Sequence, residues 1–124
     1  MAANRVCWWE IGTQDAKELG GFYAKVFGWE VSEFGDMGYQ CMGSGTGKDG
    51  GIGGGIFTVE GKCPPYQTVY VAVEDVDAML KTAVEAGGES LGDPFDVPEV
   101  GRIAMLKDPQ GHTLGLIKPA GEES

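Results

Sequence analysis

An internal repeat of about sixty residues constrains the fold of this chain more than any other feature. Asp15 precedes one helical pattern and Asp75, sixty residues later, precedes another, and a strand-like segment stands before each of them, CWWEIG in the first copy and VYVAVE in the second. The stretches GGGIF around Gly55 and LGLI around Gly115 are again sixty residues apart. Two copies of one unit therefore fill the chain, and the fold must be built from two similar halves.

Each copy begins with a strand and a helix. Apolar residues recur at three- and four-residue steps in both helical segments, which is typical of a helix with one apolar face. We expect Gly28 and the pair 87–88 to end these helices in the left-handed conformation. The apolar positions are Leu19, Phe22, Tyr23, Val26 and Phe27 in the first copy, and Val76, Met79, Leu80, Ala83 and Val84 in the second.

Short strands joined by tight turns are predicted after each helix, because the later segments are brief and interrupted by Gly or Pro. The segment DPFDVPEVG at 93–101 is expected to be a proline-stiffened connection. The unit is therefore βαβββ, written twice, and the fold class is α+β. The predicted later strands are Trp29 to Phe34, Tyr39 to Met42, Ile52 to Val59, Arg102 to Lys107 and Thr113 to Lys118.

Alternation along the first strand of each copy predicts which side chains face the helix. Val69, Val71 and Val73 share one face of the second copy, which favours packing under its helix. In the first copy the offset gives Trp9 and Ile11, and alternation adds Cys7, so these three residues are expected to lie under the first helix. The opposite face carries Trp8, Glu10 and Gly12 in the first copy and Thr68, Tyr70 and Ala72 in the second. That face is too apolar for open solvent, so we expect it to line a pocket.

Composition limits the partners. The 124 residues fit one domain, with module 1 at about 1–61, module 2 at about 66–119 and a short acidic tail. The net charge of -10 argues against nucleic-acid and anionic-membrane partners. Three widely spaced cysteines predict a reducing environment. Because no signal-peptide pattern is seen, a cytoplasmic location is expected.

The sequence resembles the glyoxalase, bleomycin-resistance and extradiol-dioxygenase superfamily, the vicinal oxygen chelate proteins. The matching stretches are CWWEIGTQDAKELGGFYAKVFGWEV, YVAVEDVDAMLKTAVEAGGE and PFDVPEVGRIAMLKDPQGHTLGLIKP, which together cover most of the chain. The resemblance implies paired βαβββ modules whose eight strands form a cupped mixed sheet around a ligand site. It also implies a homodimer, although the linker GKCPPY leaves open whether modules are exchanged between chains.

Members of this superfamily that catalyse reactions usually hold a divalent metal through His, Glu or Gln side chains on the first and last strand of each module. The resemblance carries these positions onto Trp8, Gly55, Thr68 and Gly115. None of the four is a competent ligand, and the only histidine, His112, lies beside the DPQG turn. We therefore expect no metal and no other cofactor.

Glu10 is the most informative candidate. A carboxylate in an apolar cup acquires an elevated pKa and can act as a general acid or base. The alternative is a structural glutamate that pairs with Arg102 or Arg5. Both interpretations stay open at this point.

The other candidate ligand contacts are weaker. Trp8 and Tyr70 can stack on a planar ligand or simply fill the core. Arg102 can bind an anionic group or pair with an acid at the rim. Cys41, Tyr39 and Thr68 complete the predicted ligand-binding set, although a small buried hydrophobe is the alternative for Cys41.

Three functions remain in competition. The first is a metal-free module that binds, and thereby sequesters, a small and partly apolar molecule, which suits an acidic protein if the molecule is cationic. The second is an enzyme, a lyase, isomerase or dioxygenase, that uses Glu10 or an unrecognised metal. The third is a partner-binding protein with a filled cup.

The glycine tract from Gly43 to Gly55 does not fit the pattern of a phosphate-binding loop, because no helix follows it. We expect it to be a mobile loop.

Overall fold

The computed structural model describes residues 4–34, 39–43, 52–59, 65–98 and 100–120. The chain divides into two units, Trp8–Thr68 and a second unit formed by Met1–Cys7 together with Val69–Ser124. The N-terminal residues join the second unit through two backbone hydrogen bonds. The amide of Asn4 donates to the carbonyl of Ala72 (2.7 Å), and the amide of Ala72 donates to the carbonyl of Arg5 (2.8 Å).

The Trp8–Thr68 unit contains one helix and a four-stranded mixed sheet. Its strands lie in the order β2-β3-β4-β1, with β1 and β4 parallel and the other neighbours antiparallel. The elements are β1 (Val6–Thr13, whose first two residues belong to the second unit), α1 (Ala16–Phe27), β2 (Glu30–Phe34), β3 (Tyr39–Gly43) and β4 (Gly54–Thr58).

Both ends of α1 follow from the sequence. The Asp15 side chain accepts a hydrogen bond from the amide of Glu18, and Gly28 ends the helix in the left-handed conformation. The helix packs on the sheet through Ala16, Leu19 and Tyr23, which contact a core that also includes these sheet and loop residues: Trp9, Ile11, Trp29, Met42 and Ile56.

The predicted apolar stripe of α1 is wider than the part that the unit buries. Leu19 and Tyr23 pack on the sheet, whereas Phe22, Val26 and Phe27 are more than half exposed. The reason is geometric, because a helix presents only one narrow line of side chains to a sheet and the neighbouring line points outward. Of the five residues of the predicted apolar face, three therefore remain more than half exposed in this unit.

The second unit repeats this arrangement. Strands β5 and β9 are parallel, β8 is antiparallel to β9, and both β6 and β7 pair with β8. The elements are β5 (Tyr66–Ala72, whose first three residues belong to the Trp8–Thr68 unit), α2 (Val76–Glu85), β6 (Glu89–Ser90), β7 (Phe95–Val97), β8 (Gly101–Lys107) and β9 (Thr113–Pro119).

The segment 93–101 differs from its prediction. It is not a simple connection, because Phe95–Val97 pairs with β8 in antiparallel register. Pro94 and Pro98 flank this short strand, so neither proline removes a donor from the ladder. The first strand after the helix is thus present in the second copy as two short pieces, β6 and β7.

Helix α2 is capped by Asp75, whose side chain accepts from the amide of Ala78. It ends at Glu85, earlier than the glycine pair predicted, and Gly87 rather than Gly88 takes a positive φ. Its core contacts confirm the predicted face of β5, since Val71 and Val73 pack with Val76, Met79, Leu80 and Ala83.

The strand registers confirm the sixty-residue repeat. Glu10 lies opposite Gly55 on the parallel pair β1–β4, and Tyr70 lies opposite Gly115 on the parallel pair β5–β9. Each position is sixty residues from its counterpart. The order βαβββ is therefore present twice, as predicted. Within the described residues, no helix is long and apolar enough to span a membrane.

Candidate functional site

Glu10 lies on β1, on the face of the sheet that is turned away from α1. The residue is 8% exposed, and its carboxylate accepts a 3.0 Å hydrogen bond from the Tyr39 hydroxyl at Oε2. The Tyr66 hydroxyl donates to the other oxygen, Oε1, over a longer distance of 3.4 Å. Strand alternation placed Glu10 on this face, while the two phenol partners come from β3 and β5.

Tyr39 reaches Glu10 because its ring lies on a glycine. Gly55 is opposite Glu10 on one side and Cys41 on the other, and a Cβ at this position would collide with the ring and hydroxyl of Tyr39. The hydroxyl also accepts a 3.1 Å hydrogen bond from the indole nitrogen of Trp8. Burial, followed by the negative charge of Glu10, raises the pKa of Tyr39 far above its usual range, so the phenol stays a proton donor.

Aromatic rings surround this carboxylate. Phe57 stacks on Tyr39 with ring centroids 6.1 Å apart, and it meets Tyr66 edge to face at 6.0 Å. Trp8, Tyr39, Phe57 and Tyr66 are all partly exposed, and we call these four residues the aromatic face. A buried carboxylate among partly exposed rings offers one polar contact within an apolar surface, which is the usual composition of a ligand site.

Cys41 lies beside this arrangement on β3, partly buried. Burial raises the pKa of its thiol, so the sulfur is protonated and a poor nucleophile at neutral pH. This agrees with the interpretation of Cys41 as a small apolar side chain.

The remaining predicted contacts lie on the other elements. Thr68 is buried on β5 within the Trp8–Thr68 unit, and Tyr70 is buried in the second unit, with its ring over Gly115. Arg102 also lies in the second unit. It donates to Asp77 from Nε (2.8 Å) and Nη2 (3.1 Å) and to Asp96 from Nη1 (3.1 Å). The sequence had left three alternatives open for Arg102: contact with an anionic ligand, a pair with an acid at the rim, and a pair with Glu10. The structure shows a pair with acids, Asp77 and Asp96.

Sequence reasoning missed Phe57 and Tyr66, which complete the surroundings of Glu10. Strand alternation could have identified both, because residues two apart on a strand share a face. Phe57 is two residues from Gly55 on β4, and Tyr66 is two residues from Thr68 on β5. Parts of the predicted mobile loop (44–51) and of the linker (61–64, including Cys63) lie outside the described residues.

The four positions at which the resemblance implies metal ligands do not suit a metal. Trp8 presents an indole that donates to Tyr39, and Tyr39 and Tyr70 fill the space into which a side chain at Gly55 or Gly115 would project. Thr68 supplies only a hydroxyl, whereas divalent cations in proteins are held by several carboxylate, imidazole or carbonyl donors. Among the described residues, no group of three or more His, Cys, Asp or Glu side chains converges.

Sequence comparison links the chain to named proteins. It is 34% identical over 119 residues to a protein of Mycobacterium tuberculosis that carries the provisional name glyoxylase CFP32; the match spans 94% of this chain and 44% of that protein. It is 33% identical over 134 residues to the anthracycline biosynthesis protein DnrV of Streptomyces peucetius, spanning 94% of this chain and 47% of that one. The chain thus spans about half the length of these relatives.

Comparison of structures and of family models gives the same grouping. The fold matches a methylmalonyl-CoA epimerase of Streptomyces coelicolor, solved with 2-nitronate-propionyl-CoA, at a TM-score of 0.68 and 20% identity, covering 97% of this chain and all of that one. This likeness confirms the predicted fold class of paired βαβββ modules. The family model matches residues 5–116. The chain therefore belongs to the glyoxalase/bleomycin resistance protein/dioxygenase superfamily.

Proposed function

We propose that this protein binds a small, partly apolar and positively charged molecule on the aromatic face, with Glu10 as its polar contact. The observation that carries the proposal is the position of Glu10. Glu10 is 8% exposed as a residue, and its carboxylate accepts hydrogen bonds from two phenols among four partly exposed aromatic rings. Aromatic rings attract organic cations through their negative faces, and a nearby carboxylate adds a charge-assisted hydrogen bond.

The charge of the whole chain supports a cationic ligand. A net charge of -10 raises the local concentration of cations and accelerates their encounter with the protein. The relative DnrV is named for anthracycline biosynthesis, and a polycyclic molecule of that kind presents the flat apolar surface that aromatic rings bind.

Calorimetric titration with benzylammonium chloride and with benzyl alcohol tests the proposal, since the two probes share a ring and differ in charge. We expect the cation to bind more tightly, with an affinity that falls as NaCl is added. Glu10→Gln keeps the shape and removes the charge, and it should weaken benzylammonium by about tenfold or more while leaving benzyl alcohol nearly unchanged. Equal binding of the two probes by the native chain would exclude the proposal.

We further propose that the protein holds its ligand without a metal and without turnover, so that its role is sequestration. The bare positions Gly55 and Gly115, each covered by a tyrosine ring, support the absence of a metal. Metal analysis of protein purified without chelator tests this, and one equivalent of a divalent metal would contradict it.

Acid–base catalysis by Glu10 is the second candidate. The name glyoxylase, carried by a relative that is 34% identical, favours it, as does the burial of the carboxylate. A general base must come within hydrogen-bond reach of the proton it abstracts, and both oxygens of this carboxylate already accept hydrogen bonds from phenols, which is why we place this candidate second.

A carbon acid distinguishes the two candidates. In deuterated water, a catalytic Glu10 would exchange the proton next to the carbonyl of methylmalonyl-CoA, and Glu10→Gln would abolish the exchange. Under the binding proposal, exchange with the native protein stays at the rate of the protein-free control. Proton NMR measures both rates.

Association of two chains is also a proposal. It is supported by the relatives, which are about twice as long as this chain. Light scattering after size-exclusion chromatography tests it, and a mass of 13.1 kDa at micromolar concentration would contradict it.

A further inference from the structure

One side of α1 is exposed and partly apolar. Phe22 and Val26 are both more than half exposed, and because they are four residues apart they are neighbours on the helix surface. Glu18 and Lys25 are also exposed and lie beside Phe22, the first four residues before it and the second three residues after it. We call these four residues the α1 ridge.

The second half of the chain shows that a helix of this kind packs on its sheet without such a ridge. Ala16 and Gly20 are the buried residues of α1, and Val76 and Leu80, sixty residues later, are those of α2. The positions sixty residues after the ridge carry smaller or polar side chains. They are Ala78, Thr82, Glu85 and Ala86. Packing within the unit therefore does not explain the exposed Phe22 and Val26.

The charges of the α1 ridge are complementary to a second copy of the same ridge. Within the described part of the chain, no ion pair involves Glu18 or Lys25. When two α1 helices lie antiparallel with their Phe22 side chains at a two-fold axis, Glu18 of each chain comes level with Lys25 of the other. The reason is that Glu18 and Lys25 lie about 6 Å and about 4.5 Å from Phe22 along the helix, on opposite sides of it. One surface thereby forms two pairs of opposite charge with its copy.

The charge of α1 also permits the approach of a second copy. The chain carries a net charge of -10, so two copies repel each other over most of their surfaces. Helix α1 contains two lysines and one glutamate, so this repulsion is reduced locally. The helix has 12 residues and is about 18 Å long, which makes a small interface, and we expect a dissociation constant in the micromolar range.

We infer that two copies of this chain associate through the α1 ridge, with the two helices antiparallel across a two-fold axis at Phe22. Phe22 and Val26 form the apolar centre of the interface, and Glu18 of each chain pairs with Lys25 of the other at its rim. The inference rests on the proposed association of two chains and names the surface that carries it.

Charge reversal tests the antiparallel arrangement. Sedimentation velocity of the full chain at about 0.1 M salt measures the association of Glu18→Lys and Lys25→Glu, each alone and in an equimolar mixture. In either variant alone, like charges face each other at both rim contacts, so association should weaken about tenfold or more. In the mixture, opposite charges face each other again, and a heterodimer should form with an affinity within about threefold of the native value.

Two charge reversals on α2 are the matched controls. Lys81→Glu and Glu85→Lys change the net charge by the same amounts as the α1 variants but lie outside the ridge, so each should stay within about twofold of native association. Phe22→Ala removes the apolar centre and should weaken association about tenfold or more. Circular dichroism establishes that each variant is folded.

An association that neither the α1 charge reversals nor Phe22→Ala changes would leave the proposed association standing and overturn the inference. A mixture of Glu18→Lys and Lys25→Glu that stays as weakly associated as the separate variants would overturn it too, as would equal weakening by the α2 controls. If the native chain sediments as a monomer up to about 300 µM, the proposed association itself fails, and the surface fails with it. Ligand binding at the aromatic face is measured separately and does not depend on these outcomes.

Discussion

The ring of Tyr70 lies over Gly115, the residue opposite it on the parallel strands β5 and β9. Gly55, sixty residues before Gly115, is likewise covered by a tyrosine ring, although that ring belongs to Tyr39 on β3 rather than to the opposing strand. Both halves thus place a tyrosine on a bare glycine of their last strand. In the first half, the tyrosine hydroxyl donates a hydrogen bond to the carboxylate of Glu10.

Gly115→Ala should destabilise the protein. The added Cβ would lie 2.5 Å from the Tyr70 ring, and both residues are buried, so the ring or the strand must shift. Overpacking of this kind costs about 1–3 kcal/mol in the free energy of unfolding. Urea denaturation of the variant and the native chain measures the difference.

Gly21→Ala is the matched control for that substitution. Gly21 lies in α1 with open space around its Cβ position, so alanine restricts the unfolded chain and meets no atom in the folded one. It should stabilise the protein by about 0.5–1 kcal/mol. If both alanines changed the free energy of unfolding equally, the contact between Tyr70 and Gly115 would not be the cause.

The free energy of unfolding should fall in alkaline solution, in part because of Tyr39. Burial and the charge of Glu10 hold the pKa of Tyr39 well above 10.0, the value for an unperturbed tyrosine. From about pH 10 upward, the unfolded chain loses this proton while the folded chain retains it, so the unfolded state binds fewer protons and the stability falls as the pH rises.

Urea unfolding of the native chain and of Tyr39→Phe, measured from about pH 9 to about pH 11, isolates this contribution. The variant lacks the ionisable hydroxyl, so its stability should decline less steeply with pH. Parallel declines in the two proteins would show that Tyr39 ionises normally.

Cys41 should react slowly with iodoacetamide near neutral pH. Alkylation requires the thiolate, and burial raises the pKa of this thiol above its usual 9.0. Peptide mass mapping after timed alkylation gives the rate at Cys41 in the folded chain and in urea, with Cys41→Ser identifying the peptide. We expect the folded rate to be lower and to rise at higher pH; equal rates would contradict the raised pKa.

Arg102→Gln should raise the pKa of Asp77 toward its ordinary value of 3.8. The guanidinium donates two hydrogen bonds to this carboxylate and adds an attractive charge, and both effects lower its pKa in the native chain. A carboxylate with a lowered pKa adds stability above its unfolded pKa and loses it as the pH falls, although solvent screens this exposed pair. Carboxyl-carbon NMR titration of Asp77 in both proteins tests the shift, and identical curves would contradict it.

The sequence predicted the local elements well because they depend on neighbouring residues. Asp15 and Asp75 cap the helices, Gly28 ends the first one, and alternation assigned Trp9 and Ile11 to the α1 side and Glu10 to the other. Each depends on one residue's backbone preference or on a period of two or 3.6 residues. The strand Phe95–Val97 was not predicted, because its flanking prolines suggest a connection. Only its pairing with β8 makes it a strand.

By itself, then, the sequence determined the duplicated βαβββ order and the face of β1 that carries Glu10. Only the tertiary structure decided what meets that carboxylate. Tyr39 and Tyr66 are 29 and 56 residues away along the chain, and the choice of Asp77 and Asp96 as partners of Arg102 was likewise open. The physical reason is that such contacts depend on strand register and on the direction in which a ring lies. Gly55 lies opposite Cys41, two residues along β3 from Tyr39, and because Gly55 has no side chain, the Tyr39 ring can lie over it.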